Sequence, residues 1–151
     1  MPTPEYSDTT THDIRVGATG FYLPAESNPA QSEYVFGYRI LIVNHGQQPA
    51  KLLSRRWLII DGEGQERHVQ GQGVVGQTPR LEPGQAFKYS SFCPLETPWG
   101  TMEGSYRMQY DDGQEFDVTI GRFYLATDKL DTAEPDERLT QDADPSAQSR
   151  I

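Results

Sequence analysis

Residues 71–108, GQGVVGQTPRLEPGQAFKYSSFCPLETPWGTMEGSYRM, constrain this chain more than any other stretch. They open with Gly71, Gly73 and Gly76 in the GxGxxG spacing. Behind an apolar strand and ahead of a helix, that spacing cradles a pyrophosphate on the helix N-terminus. Here the string follows polar ERHVQ, and Pro79 and Pro83 interrupt any helix behind it, because proline lacks the N–H and clashes with the preceding turn. With no βαβ unit around it, the motif argues against a dinucleotide site. It predicts instead a loop crossing between sheets, with glycines at positive φ and Val74 and Val75 anchored in the core.

The rest of the chain reads as strands. Tyr34, Phe36, Tyr38, Ile40 and Ile42 share one face of a strand and Arg39 lies on the other, the period-two alternation of a half-buried strand. Residues 13–23 alternate up to Gly20, which predicts a kink or bulge there. In 52–60, Trp57 and Ile59 share a face with Leu53. Asn44-His45-Gly46-Gln47, Asp61-Gly62-Glu63-Gly64 and Asp111-Asp112-Gly113 read as turns. Glu82-Pro83-Gly84-Gln85 has the residues of a type II turn. Phe116, Val118 and Ile120 give way after Gly121 to Phe123 and Leu125, which predicts a one-residue bulge at Gly121. No segment carries apolar residues at helical spacing over three turns. Seven or so strands predict an all-β fold, a two-sheet antiparallel β-sandwich of immunoglobulin or fibronectin type III character.

Charge and aromatic content set the boundaries. The formal net charge is −9, and residues 128–151 hold seven acidic against three basic side chains and no aromatic residue. That composition predicts an acidic disordered tail over 128–151, a folded domain over 12–127 and a flexible N-terminus over 1–11. An acidic surface argues against nucleic acid as a partner. The longest apolar run, 40–43, is too short to enter a membrane. A lone Cys93 excludes an internal disulfide framework and, with no basic start or apolar leader, fits a cytoplasmic protein.

Candidate chemistry is sparse. Consecutive N–H groups at Gly71, Gly73 and Gly76 can form a concave nest for a phosphate without a helix, assisted by Arg67, Arg80 or His68. His12, His45 and His68 lie singly in different segments, so no zinc spacing exists. Weak divalent-cation binding at clustered carboxylates such as Asp111-Asp112 is the most the sequence offers, and no cofactor is called for. Nothing near Cys93 lowers its pKa, and no constellation calls for catalysis. Arg55 and Arg56 alternate, so one of them needs a buried carboxylate or carbonyl partner. Trp99, flanked by Pro94 and Pro98, reads either as an exposed anchor for a partner or as a cap on the sandwich.

The strings RRWLIIDGEGQERHVQGQGVVGQTPRLEPGQAFKYSS and PLETPWGTMEGSYRM resemble the ApaG family of small bacterial proteins over about residues 12–126. The domain is also similar to modules in certain F-box proteins and in a polymerase-interacting protein. The resemblance implies a fibronectin type III-like sandwich and a link to cobalt and magnesium tolerance. Its glycine motif, here Gly71, Gly73 and Gly76, implies pyrophosphate binding; the alternative expectation is thus a phosphate- or pyrophosphate-binding protein with a nucleotide or diadenosine polyphosphate ligand, or a weak phosphohydrolase. The eukaryotic modules imply protein interaction instead. The combined expectation is a non-enzymatic binding module with an unknown protein partner, and a homodimer through an edge strand stays open.

Overall fold

A computed structural model describes residues 6–130. Nine strands follow in order: β1 Tyr6–Thr11, β2 Ile14–Tyr22, β3 Tyr34–Asn44, β4 Ala50–Asp61, β5 Glu66–Gln72, β6 Arg80–Leu81, β7 Ala86–Leu95, β8 Trp99–Tyr110 and β9 Glu115–Ala126. Two single 3-10 turns, Pro24–Glu26 and Pro29–Gln31, lie between β2 and β3. The strands form two antiparallel sheets. One runs β1-β2-β3-β7; the other runs β5-β4-β8-β9, with β6 also on β4. The fold is the expected two-sheet sandwich. β2, β3 and β7 over β5, β4, β8 and β9 is the fibronectin type III arrangement, with β1 added at one edge.

The core sits between the sheets. Ile14, Val16, Phe36, Tyr38, Ile40 and Ile42 face Leu52, Trp57, Ile59, Tyr106, Val118 and Phe123, all buried. Each such side chain contributes about 1.5–3 kcal/mol by leaving water. Trp57 packs edge-on against Tyr38 at 5.3 Å and against Phe123 at 6.1 Å.

Bulges keep the alternation aligned with this core. Met102 pairs Phe123 while Gly104 pairs Ile120, so β9 carries an extra residue at Gly121–Arg122. That is the predicted bulge, and it puts both Ile120 and Phe123 inside. A second bulge corrects the expected face of β4. The register shifts between Leu52 and Ser54, so Leu52, not Leu53, shares the buried side with Trp57 and Ile59.

Other expectations change as well. β2 is continuous through Gly20. A Cβ there would lie 2.6 Å from Leu125 Cδ2 and 2.8 Å from the Tyr124 carbonyl oxygen, so Gly20 admits the end of β9 and makes no bulge. β7 runs through Pro94, which the sequence reading put in a loop; an edge strand tolerates a residue with no N–H to donate. The expected flexible N-terminus is corrected from Tyr6 onward, because Tyr6–Thr11 pairs with β2 across a two-residue turn at His12 and Asp13, both at positive φ. Of the acidic tail, residues 128–130 pack back, with the Tyr22 N–H donating to the Lys129 carbonyl at 2.6 Å. Residues 1–5 and 131–151 lie outside the described residues.

Candidate functional site

The glycine segment is built from its own backbone. It leaves β4 where the bulge falls, with the Gly73 N–H donating to the Leu53 carbonyl at 2.8 Å. It returns where the Leu52 N–H donates to the Pro79 carbonyl at 2.9 Å. Because β5 and β6 both pair with β4, the loop is an excursion along one edge, not the crossing between sheets that the sequence predicted. Val74 and Gln77 exchange N–H to carbonyl bonds at 2.8 Å in both directions. Val75 at φ 43° and Gly76 at φ 79° fill the two central positions. That is the type I′ geometry, which demands positive φ at both sites. Val74 is fully buried and anchors the turn.

The other two glycines answer to close approaches. Gly73, at φ 61°, would place a Cβ 2.3 Å from the Gln77 carbonyl oxygen. Gly71 pairs across the ladder with Arg55, whose guanidinium lies 2.8 Å from where a Cβ would stand. Arg55 Nη1 donates to the Gln72 carbonyl at 3.1 Å and to the Gly73 carbonyl at 3.0 Å. Arg55 is therefore the arginine that the alternation required to find a carbonyl partner, while Arg56 is exposed. In this arrangement the loop turns carbonyls toward a cation of its own chain.

The cations expected to assist a phosphate each have partners elsewhere in the chain. Arg67 on β5 reaches across to β7, donating through Nη2 to the Pro94 carbonyl at 2.8 Å and approaching Cys93 Sγ at 3.8 Å. Arg80 is held by Asp111, at 3.1 and 2.6 Å, and by Glu82. Those bonds raise the Arg80 pKa and lower that of Asp111. His68 faces Glu66 at 3.5 Å. Among the described residues, no group of three or more His, Cys, Asp or Glu is placed to hold a metal ion.

The two sides of the sandwich differ. On one side β1 is stitched to β9: Ser7 Oγ donates to the Gly121 carbonyl at 2.7 Å, Thr9 Oγ1 donates to the Thr119 carbonyl at 2.9 Å, and the Thr119 N–H donates to Thr11 Oγ1 at 3.2 Å. The hydroxyls at alternate positions of YSDTTT thus bond the outer backbone of β9. On the other side β5 pairs only with β4, and β7 only with β3. Among the described residues these two strand edges have no strand partner, and Arg67 bridges them. Beside this bridge opens a cleft of about 550 Å3, with Tyr34 and Leu95 among its walls, Arg67 across it, and Glu33, Glu66 and Glu96 on its lining.

The partner-binding candidates gather at this end. Pro94 lines the cleft and Pro98 is exposed. Trp99 is 45% exposed, rests edge-on against Tyr124 at 6.1 Å, and lies over Gly62, next to the cleft residue Asp61. It both caps the sandwich and presents an aromatic face. The spacing of Ser7, Thr9 and Thr11 was the available signal for the sealed side. No local signal located the cleft, whose walls come from 31–35, 59–67 and 94–96.

The interior beneath is chemically inert. Tyr89 and Tyr106 share a hydroxyl–hydroxyl hydrogen bond. Burial, above all, raises the pKa of Tyr38, Tyr89 and Tyr106, and it pushes the Cys93 thiol up to about 12. A buried thiol of that kind is no nucleophile.

Fold and site together define a small immunoglobulin-like sandwich, sealed along one side and open along the other. The model of the ApaG domain matches residues 24–110. Protein ApaG of Allorhizobium ampelinum is 49% identical over 120 residues, spanning 80% of this chain and 92% of the relative. Protein ApaG of Bordetella pertussis is 48% identical over 115 residues, 76% of this chain and 88% of the relative. The crystal structure of an ApaA protein from Bordetella pertussis superposes with a TM-score of 0.73 at 45% identity, covering 83% of this chain and 98% of that one. The chain belongs to the ApaG family.

Proposed function

We propose that this protein is a non-enzymatic interaction module that holds an extended segment of a protein partner along its open β5/β7 side. The observation that carries the reading is the asymmetry of the sandwich. The β9 edge is satisfied by Ser7, Thr9 and Thr11, whereas among the described residues the β5 and β7 edges have no strand beside them. Free edges recruit extended chains through backbone hydrogen bonds, and neighbouring pockets supply specificity. Glu33, Glu66 and Glu96 around the cleft favour a segment with cationic side chains, and Trp99 offers an aromatic anchor. Such a contact is also how the protein would act in cobalt and magnesium tolerance. Among the described residues, no helix is long and apolar enough to cross a membrane.

Selection of random peptides on the immobilised full chain tests this. Enriched peptides should alternate apolar and basic residues. They should bind about tenfold more weakly to a Glu66→Lys, Glu96→Lys double variant, a loss of about 1.4 kcal/mol. Titration with pyrophosphate and diadenosine polyphosphates, with and without magnesium, separates the other reading. Micromolar binding of these anions with no peptide enrichment would replace the interaction module by a phosphate-binding protein.

A further inference from the structure

Backbone register decides which of the two open edges can receive a strand. The Asp61 N–H donates to the Gln65 carbonyl at 3.0 Å and the Gly73 N–H to the Leu53 carbonyl at 2.8 Å. Hydrogen-bonded and non-hydrogen-bonded pairs alternate along an antiparallel ladder, so Arg67, Val69 and Gly71 turn their N–H and C=O groups to β4. Glu66, His68, Gln70 and Gln72 turn theirs outward. The Gln72 carbonyl is already taken by Arg55 Nη1 at 3.1 Å. Among the described residues this leaves a window of Glu66, His68 and Gln70 presenting both groups. On β7, the Asn44 N–H bonds the Gln85 carbonyl at 3.0 Å, and the same alternation points the backbone of Pro94 outward. Pro94 has no N–H to offer, and its carbonyl accepts from Arg67 Nη2 at 2.8 Å. The β7 edge is closed where it borders the cleft, and β5 is the edge left to pair.

Resting on the interaction reading above, we infer that the partner's extended segment adds to β5 at Glu66, His68 and Gln70 as one more antiparallel strand, with apolar side chains at its two inward positions and a basic side chain opposite Glu66. Antiparallel pairing is the arrangement of all the strand pairs described, and it lets each of the three residues exchange both bonds with the residue facing it. Side chains directly opposite share a face of the sheet. Positions opposite Arg67 and Val69 therefore point inward, beside half-buried Val69 and the Tyr34 and Leu95 walls of the cleft. The Arg67 head is drawn away to β7, so this row is apolar. The outward row holds Glu66, exposed and met by His68 at 3.5 Å, a carboxylate within reach of a lysine or arginine on the added strand. At the other end Gln70 pairs with exposed Arg56, which disfavours a second cation there and sets the register.

The probe is an acetylated, amidated pentapeptide, Thr-Val-Thr-Val-Lys, added to the 15N-labelled full chain and followed by amide hydrogen exchange. In the free chain the Glu66, His68 and Gln70 amides should exchange quickly and those of Arg67, Val69 and Gly71 slowly. Saturating peptide should slow the first set about tenfold. N-methylation of the central threonine, whose N–H faces His68, should weaken binding about tenfold, as should a glutamate in place of the lysine. N-methylation of either valine, whose N–H faces away, should leave binding unchanged. His68→Pro removes only an outward N–H on an edge strand and should weaken binding by a similar factor. If that variant fails to fold, the exchange pattern of the wild-type chain decides alone. No saturable binding, protection at Lys88 and Phe92 on β7 instead, or equal loss from all the N-methylated peptides would overturn the inference. So would slow exchange at Glu66, His68 and Gln70 without peptide, since a second copy or residues 131–151 would then hold the edge. Protection moved to β7 refutes the β5 register and leaves the interaction module standing, whereas a random-peptide selection with no enrichment removes the module itself.

Discussion

At the scale of single residues, the GxGxxG string is accounted for by intramolecular geometry. Gly71 makes room for the Arg55 guanidinium, Gly73 for the Gln77 carbonyl, and Gly76 closes a type I′ turn. Gly71→Ala should destabilise by about 1–3 kcal/mol, the range for strain against a packed group, and Arg55→Ala should cancel most of that loss. Urea unfolding of the two single variants and the double variant measures the coupling, and additive effects would remove Arg55 from the explanation. Gly76→Val, at φ 79°, should cost about 1–3 kcal/mol without any ligand.

A second residue-scale prediction concerns pH. Tyr38, Tyr89, Tyr106 and Cys93 all have folded pKa values raised above their ordinary 10.0 and 9.0, chiefly by burial. The folded state thus favours the neutral forms, and their stabilisation is fully present below about pH 9. Above it, the unfolded chain gains by ionising, at about 1.4 kcal/mol per unit and per group until the folded pKa is reached. The urea midpoint should fall steeply from pH 9 upward. Of the eight tyrosines, these three should ionise at 295 nm only as the chain unfolds.

At the scale of elements, alternation alone placed most strands, because one face of each is buried and a one-residue slip would expose it. Tyr34, Phe36, Tyr38, Ile40 and Ile42 show this directly. The misreadings have a common cause. Leu53, Gly20 and Pro94 sit where a distant strand decides the local geometry: β8 sets the bulge in β4, the end of β9 crosses Gly20, and the free edge of β7 accepts a proline. β1 was missed because YSDTTT carries little apolar alternation; its hydroxyls, not its burial, attach it. Arg55 was legible as one of two candidates, but its seat on Gly71 depends on the pairing of β4 with β5. If β1 is held by those hydroxyls, Ser7→Ala with Thr9→Val should strip two hydrogen bonds and lower stability by about 1–3 kcal/mol. Hydrogen exchange should then rise at 6–11 and 119–121 while β3 and β4 stay protected.

At the scale of the whole molecule, the sandwich has unlike sides: β1 seals the β9 side, and among the described residues no strand covers the β5 and β7 edges, which have carboxylates beside them. This was not readable from charge totals, since the −9 of the full chain conceals where Glu33, Glu66 and Glu96 converge beside Arg67. The central claim is that the β5/β7 edge receives another chain, and site-specific photocrosslinking in cells tests it most directly. A photoreactive phenylalanine analogue at Gln70 on β5 or at Pro94 on β7 should give the same discrete adduct, and one at the β8–β9 turn residue Asp112 should give none. Adducts absent from both edge positions, or equally abundant at Asp112, would contradict the account.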